Sequence, residues 1–439
     1  MKRRIQEPGL RFGNRESDIG NRESKVVSRF VFPIRYSQFP IPAFFIVRLP
    51  PPAKTLLLAG VLALMPGCAT VKESVTGWYD KLFSASESGA KPGPLPKFKT
   101  SAKVTSLWQA KVGEVKGYLY SPAFDGESVY AGGEKGTVVS LDSTSGKAQW
   151  RLDFKRNIAA GVGYGDGLVL LASDKGEILA YDIEGQPQWS APVGAEVLSP
   201  PRAADGIVVV RAADGRIFGL DAGTGQRKWV YQRATPALTV RSNAGVTLYR
   251  GAVFAGFPGG KLIALNLATG GFGWEATVAQ PRGATEIERV TDVTSNPVVD
   301  ERRVCAAAFQ GRVACFDLLR GALFWAKDVS SISGLSMDGQ NVYVTDDQSV
   351  VHAYDKETGR EVWKQSRLKL WRLTAPLVYG DHLVFGGAKG YLHFLKRSDG
   401  AIAARVTTDG STIAAQPVAL EEGFVVQTRE GSLYALDVQ

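Results

Sequence analysis

Residues 137–150 read T-V-V-S-L-D-S-T-S-G-K-A-Q-W, and residues 217–229 repeat the phrase as I-F-G-L-D-A-G-T-G-Q-R-K-W. Each copy is an apolar run of period two that ends on Asp, followed by Gly and then Trp. The period and the β-branched content mark a strand. The Asp can accept from turn amides, and the Gly supplies the positive φ that closes the turn. The Asp or Asn recurs at Asp142, Asp182, Asp221, Asn266, Asp317 and Asp355, each followed by its Trp: Trp150, Trp189, Trp229, Trp274, Trp325 and Trp363. A seventh copy is eroded to Lys396, Gly400 and Ala404. The preceding hairpin carries its own Gly in every copy except one, where Gln348 stands, and no helical period appears. Four short strands in a unit of about forty residues cannot bury their faces alone and must stack on copies of themselves.

The ends of the chain give the count. Trp108 has no Asp-x-x-x-Gly before it, and Asp437 ends a strand with no Trp after it. The N-terminal strand is therefore expected to supply the outer strand of the last unit. Eight slots, at 108, 150, 189, 229, 274, 325, 363 and 404, predict an all-β, eight-bladed β-propeller over residues 103–439, closed by its N-terminal strand. Each slot Trp is expected to wedge between neighbouring blades. Trp371 and Trp78 lie outside the slot, and Trp78 is expected to touch membrane or a partner.

Composition excludes several functions. The chain of 439 residues has 52 Lys and Arg against 43 Asp and Glu, a net of +9. Residues 1–67 hold 11 of the basic residues and 4 of the acidic ones, so the remainder is close to neutral. Nucleic acid is excluded as a partner on that ground. Cys68, Cys305 and Cys315 are too few for a disulfide scaffold or a paired-cysteine metal site. A two-residue turn at Gln310–Gly311 would point Cys305 and Cys315 to opposite faces of their hairpin and leave them unbonded. His352 and His393 sit at apolar strand positions and should be packed, while His382 follows Asp381 in a turn and should be solvated. No Ser/His/Asp grouping, carboxylate pair or phosphate loop stands out, and no catalytic residue, metal or cofactor is expected.

Residues 56–67 read L-L-L-A-G-V-L-A-L-M-P-G, followed by Cys68. Twelve near-apolar residues are too short for a permanent span and fit the apolar part of a secretory signal, with Arg48 and Lys54 as its positive flank. Gly67–Cys68 resembles a bacterial lipobox, although Met65 and Pro66 depart from it; the alternative is an ordinary signal holding an incidental cysteine. The reading divides the chain into 1–47, an upstream extension explained by a start placed too far upstream or by a genuine cytoplasmic segment; 48–67, the signal peptide; 68–102, a lipidated Pro- and Ser-rich tether; and the propeller.

Repeat spacing lengthens at two adjacent junctions, in 231–245 and 275–296. Both connections run from an outer to an inner strand and so share one face. Long loops on a rigid scaffold are where binding concentrates. The first holds Leu238, Val240 and Arg241; the second, R-G-A-T-E-I-E-R-V-T-D-V, holds Glu286, Ile287, Arg289 and Asp292.

The lipobox, the tether, the Trp-bearing blades, G-A-T-E-I-E-R-V-T-D-V, L-T-A-P-L-V-Y-G and G-Y-L-H-F-L together resemble the BamB family, the propeller lipoproteins of the outer-membrane β-barrel assembly (BAM) complex. The resemblance runs from about residue 68 to the end. It implies a non-enzymatic scaffold that binds the periplasmic POTRA domains of BamA. The family's contact motifs are Leu-x-Leu-Arg and Asp-x-Asp. Leu238, Val240 and Arg241 match the first with one conservative change. Asp292 matches the first acid of the second motif, and Thr294 replaces the other. Ala69 after the lipid Cys favours the outer membrane, facing the periplasm. Nascent outer-membrane proteins could add as strands to blade edges. Eight-bladed rings with this repeat also resemble quinoprotein alcohol dehydrogenases, which hold pyrroloquinoline quinone and calcium; their adjacent bonded cysteines are absent here. A propeller that binds peptides or glycans directly is a third reading.

Overall fold

The structure, a computed structural model, describes residues 92–439 except Lys116. The expected signal segment, Cys68 and Trp78 lie outside the described residues.

The repeat folds as it reads. Each unit is a four-stranded antiparallel sheet, at 123–153, 163–192, 202–231, 246–277, 292–327, 334–365 and 377–407 for blades 1 to 7. In blade 5 the inner strand is split into Asp292–Val293 and Val298–Val299, both paired with Arg303–Phe309. Blade 8 takes three strands from 418–438 and its outer strand, Val104–Lys111, from the other end of the chain. The middle strands are buried along their length, as in Ser128–Gly132 and Ala252–Phe257, whereas outer strands alternate. Aliphatic side chains of neighbouring blades merge into shared clusters, such as Val209, Ile217 and Trp229 with Val253, Ile263 and Leu265.

Each slot Trp joins its blade to the next. A one-residue bulge immediately before the Trp shifts the outer strand's register in all eight blades, at Ala404 as at the seven indoles. Such bulges re-aim side chains. The indole Nε1 then donates to a backbone carbonyl in the next blade's last turn, from Trp108 to Ser143 O (2.7 Å) round to Trp363 to Arg397 O (3.0 Å). The ring lies over that turn's glycine: a Cβ on Gly270 would come within 2.6 Å of the Trp229 ring, and its φ is +69°. The Trp of one copy and the Asp-Gly of the next therefore form one joint. Ala404 breaks the series because blade 8 has no turn between its last two strands, which come from opposite chain ends. Ala102, Val438 and Phe424 pack against Ala403 and Ala404 instead.

Three local expectations are corrected. Cys305 and Cys315 are directly paired, 4.1 Å apart at Cα, and joined by a disulfide. The hairpin turn has three residues, 309–311, with Ala308 N bonded to Arg312 O and the positive φ on Gln310. That one-residue change in pairing brings both thiols to the same face. In blade 6 the left-handed turn residue is Ser349, not Gln348. His382 is the first residue of strand His382–Gly386 and half-buried. His352 and His393 are buried, as expected.

Deleting a joint should be costly. Trp229→Ala is expected to lower stability by about 3–5 kcal/mol, the range for a large buried aromatic. Val230→Ala, whose side chain is exposed on the same strand, should stay within about 0.5 kcal/mol. Equal denaturation midpoints for the two variants would remove the indole from its role.

Candidate functional site

Connections from outer to inner strands, together with the turns between the two middle strands, emerge on one face of the ring. The two long connections lie side by side there, between Arg227–Tyr231 and Val246–Tyr249 and between Phe272–Thr277 and Asp292–Val293.

A ladder of polar contacts locks the first loop to the end of the second. Asp292 accepts from Val240 N (2.6 Å) and from Gly259 N (3.0 Å), a turn of blade 4. Ser242 Oγ donates to Thr294 O (3.0 Å), and Gly245 N to the Asn296 side chain (2.6 Å). Arg211, over the Phe257 ring at 5.3 Å, donates to Gly245 O (3.3 Å) and faces Asp292 as its countercharge. Burial pushes the Asp292 carboxyl up, opposed by the two amides and Arg211. Burial also lowers Arg211 to about 10, so it stays charged at neutral pH. A carboxylate in this setting is held only because two amides and a cation face it.

Asp292 is therefore not the exposed acid that its position in the second loop suggested. It is 3% exposed and spends both oxygens inside the protein. Thr294 is also buried, with Oγ1 donating to Ser331 O. The exposed apolar groups are Leu238 (44%) and Ile287 (56%), one from each loop, while Val240 is half-buried. Arg241 is exposed but engaged: it pairs with Glu196 (2.6 Å) and lies 5.7 Å from the Tyr118 ring, whose hydroxyl also reaches Glu196 (3.2 Å). Glu286 and Arg289 are exposed and 3.9 Å apart, an ion pair of little energetic weight.

The tip of the second loop is a single capped turn. The Thr285 hydroxyl accepts from Glu288 N, and the Glu288 carboxylate accepts from Ala284 N (2.8 Å) and Thr285 N (3.1 Å). This is the reciprocal capping box of T-x-x-E, a signal legible in the sequence but not used there. The Gln310 carboxamide nitrogen, its orientation assigned from the bonding pattern, braces the turn from below at Val290 O (2.9 Å) and Glu288 O (3.1 Å). Glu196 and Tyr118 carried no sequence signal, since each comes from a connection outside the two long ones.

The opposite face carries an open cleft of about 960 Å³ between blades 6 and 7, lined by Arg360, Asp381, His382 and Arg397 among others. Among the described residues, no three His, Cys, Asp or Glu are grouped to hold a metal ion.

These features define a ring scaffold whose distinguishing surface is a pair of coupled loops. A family model described as outer membrane protein assembly factor BamB matches residues 134–365 and 349–439. The BamB of Nitrosomonas eutropha is 44% identical over 385 residues, covering 87% of this chain and 94% of that protein. The BamB of Bordetella pertussis is 41% identical over 86% and 95%. The crystal structure of BamB from Moraxella catarrhalis superposes with a TM-score of 0.71 at 24% identity, covering 76% of this chain and all of the other. A quinohemoprotein alcohol dehydrogenase from Comamonas testosteroni shares the fold alone, with a TM-score of 0.63 at 14% identity. The chain belongs to the BamB family of outer membrane protein assembly factors, and it is an assembly factor, not an enzyme.

Two outcomes are expected of the site. Asp292→Ala leaves Val240 N, Gly259 N and Arg211 without their shared acceptor, and should cost at least about 1–3 kcal/mol, read as a lowered melting temperature. Loss of amide-exchange protection at Val240 and Gly259 should accompany it. Backbone bonds from Thr285 and Ala284 hold the Glu288 carboxyl below its ordinary value. A depressed carboxyl stabilises above its unfolded pKa and ceases to as pH falls through its folded pKa. Protection of the Ala284 and Thr285 amides should therefore persist at neutral pH and fall once the medium is more acidic than the ordinary glutamate range.

Proposed function

We propose that this assembly factor is a periplasmic scaffold, anchored to the outer membrane through a lipid on Cys68, whose coupled loops hold the POTRA domains of BamA. The observation that carries the reading is that each of the two loops exposes an apolar side chain, Leu238 and Ile287, while Asp292 bonds the first loop to the end of the second. Apolar anchors on a rigid frame beside an Arg have the composition of an interface centre. A frame that is already ordered binds without the entropic cost of ordering itself. Arg241, set by Glu196, presents its remaining donors at the rim, where charge governs orientation and rate more than strength. Nascent barrel proteins would remain free to meet the exposed outer strands.

Binding of the full chain to the periplasmic part of BamA, measured by calorimetry, tests this. Leu238→Ala should cost about 2 kcal/mol or more, roughly thirtyfold in affinity. The melting temperature should hardly move, because Leu238 is exposed. Arg241→Ala should weaken binding less, and Arg360→Glu on the opposite face should leave it unchanged. Full binding by the Leu238 variant would place the partner elsewhere on the ring.

A further inference from the structure

We propose that residues 95–101 are a docked strap that carries the membrane tether across the thickness of the ring and delivers it on the face bearing the two long loops. The orientation it imposes rests on the reading of Cys68 as the lipid site; the docking does not.

The first sign is the burial of blade 7's outer strand. In blades 3 to 6 the outer strand exposes an apolar side chain to solvent: Val230, Phe272, Leu323 and Val362. In blade 7 the corresponding strand, Ile402–Thr407, begins with three buried residues. What covers it is the chain that leads into the ring. Leu95 and Phe98 pack into the cluster that contains Trp371, Leu373 and Ile402. Ser101 N bonds to Ala403 O (2.9 Å), at the residue the bulge takes out of the sheet ladder. Lys103 and Gln439 then exchange backbone bonds of 2.8 and 3.0 Å.

Two cations grip the strap by its backbone. Arg367 Nη2 donates to Lys97 O (2.6 Å), and Arg405 Nη2 to Pro96 O (3.2 Å). The Arg405 guanidinium also lies 5.0 Å from the Phe98 ring. Pro94 and Pro96 have no N–H to leave unpaired and favour the extended form that such docking needs. Arginines on the carbonyls, with apolar side chains three residues apart seated in one cluster, match the three-residue period of a polyproline II segment.

Direction follows from the contacts. Ala403 is at the start of its strand, next to the turn face, whereas Arg367 stands in the connection between blades 6 and 7, on the long-loop face. The strap thus enters at the long-loop face and runs to the turn face, where Val104–Lys111 begins its return. Without docking, the tether would leave the ring at the turn face. With it, the exit moves by about six extended residues, roughly 20 Å, to the other side. The anchor and the partner loops then share a face.

The test uses the full lipidated chain on phosphatidylethanolamine–phosphatidylglycerol vesicles with a headgroup acceptor dye. Donors are placed by Ala237→Cys on the long-loop face or by Arg360→Cys on the turn face. Energy transfer from position 237 should exceed that from 360, and R367E with R405E should abolish or reverse this ranking. In solution, trypsin should cut after Lys97 and Lys99 about tenfold faster in the double variant than in the parent, since only the undocked strap is a substrate. R367A, which leaves Arg405 at its contact with the buried His393 (3.5 Å), is the milder variant should the double change unfold the ring. Equal cutting rates would overturn the docking; equal transfer from both faces in the parent, or a ranking unchanged in the variant, would overturn the orientation. Failure of the chain to float with vesicles would defeat the anchor reading and the orientation with it, leaving the docking to stand or fall by trypsin.

Discussion

An indole laid over the glycine of the next blade is the contact on which this ring depends. Sheets of four short strands have two large apolar faces and gain little from folding singly. The joint adds direction to what would otherwise be a non-specific apolar contact. A bulge aims the indole, a left-handed glycine makes room for the ring, and a carbonyl fixes its depth through Nε1. Because donor and receiver sit in successive copies, each joint ties a blade to the one beside it in the ring. The ring is a chain of seven such joints and one closure of a different kind.

On that frame, the irregular surface is concentrated where the repeat is interrupted. The two long connections are not loose insertions. Asp292, Thr294 and Asn296 hold the first loop by its backbone and hydroxyl groups. The apolar tips are left to solvent. The residues that define the surface and those that fix it are therefore different residues, and a sequence motif that includes both does not separate them. If these loops hold the partner as proposed, loss of Asp292 would act through the frame and loss of Leu238 through the contact itself.

The architecture was legible because it is periodic: Asp, Gly and Trp recur at spacings that admit one stacking scheme, and Ala404 marked the place where the scheme ends. The site was legible only in outline. Spacing revealed the two long loops and composition picked out Leu238 and Ile287, but burial of Asp292 depends on Val240 and Gly259, which lie 52 and 33 residues away along the chain. The Cys305–Cys315 pairing was missed by a single residue of turn length, since a period of two converts that error into the opposite face. The strap was missed because Leu95 and Phe98 sit in a Pro- and Lys-rich stretch whose composition reads as linker. Their partners, Trp371 and Ile402, are some three hundred residues distant.

The closure of blade 8 makes the order of events during maturation matter. Among the described residues Val104–Lys111 is the first strand to be synthesised, and its partner, Ser432–Val438, is the last. Pairing across nearly the whole chain carries the largest loop-closure entropy in the molecule and is expected to be slow. Until it happens, the first strand has no strand partner and the final sheet has an open edge, the condition in which strands associate with other chains. The seven indole joints can form in sequence as the chain emerges, so the waiting intermediate is an arc that lacks only its clasp. A truncated chain would remain at that stage, with most of its blades built and its last edge still sticky.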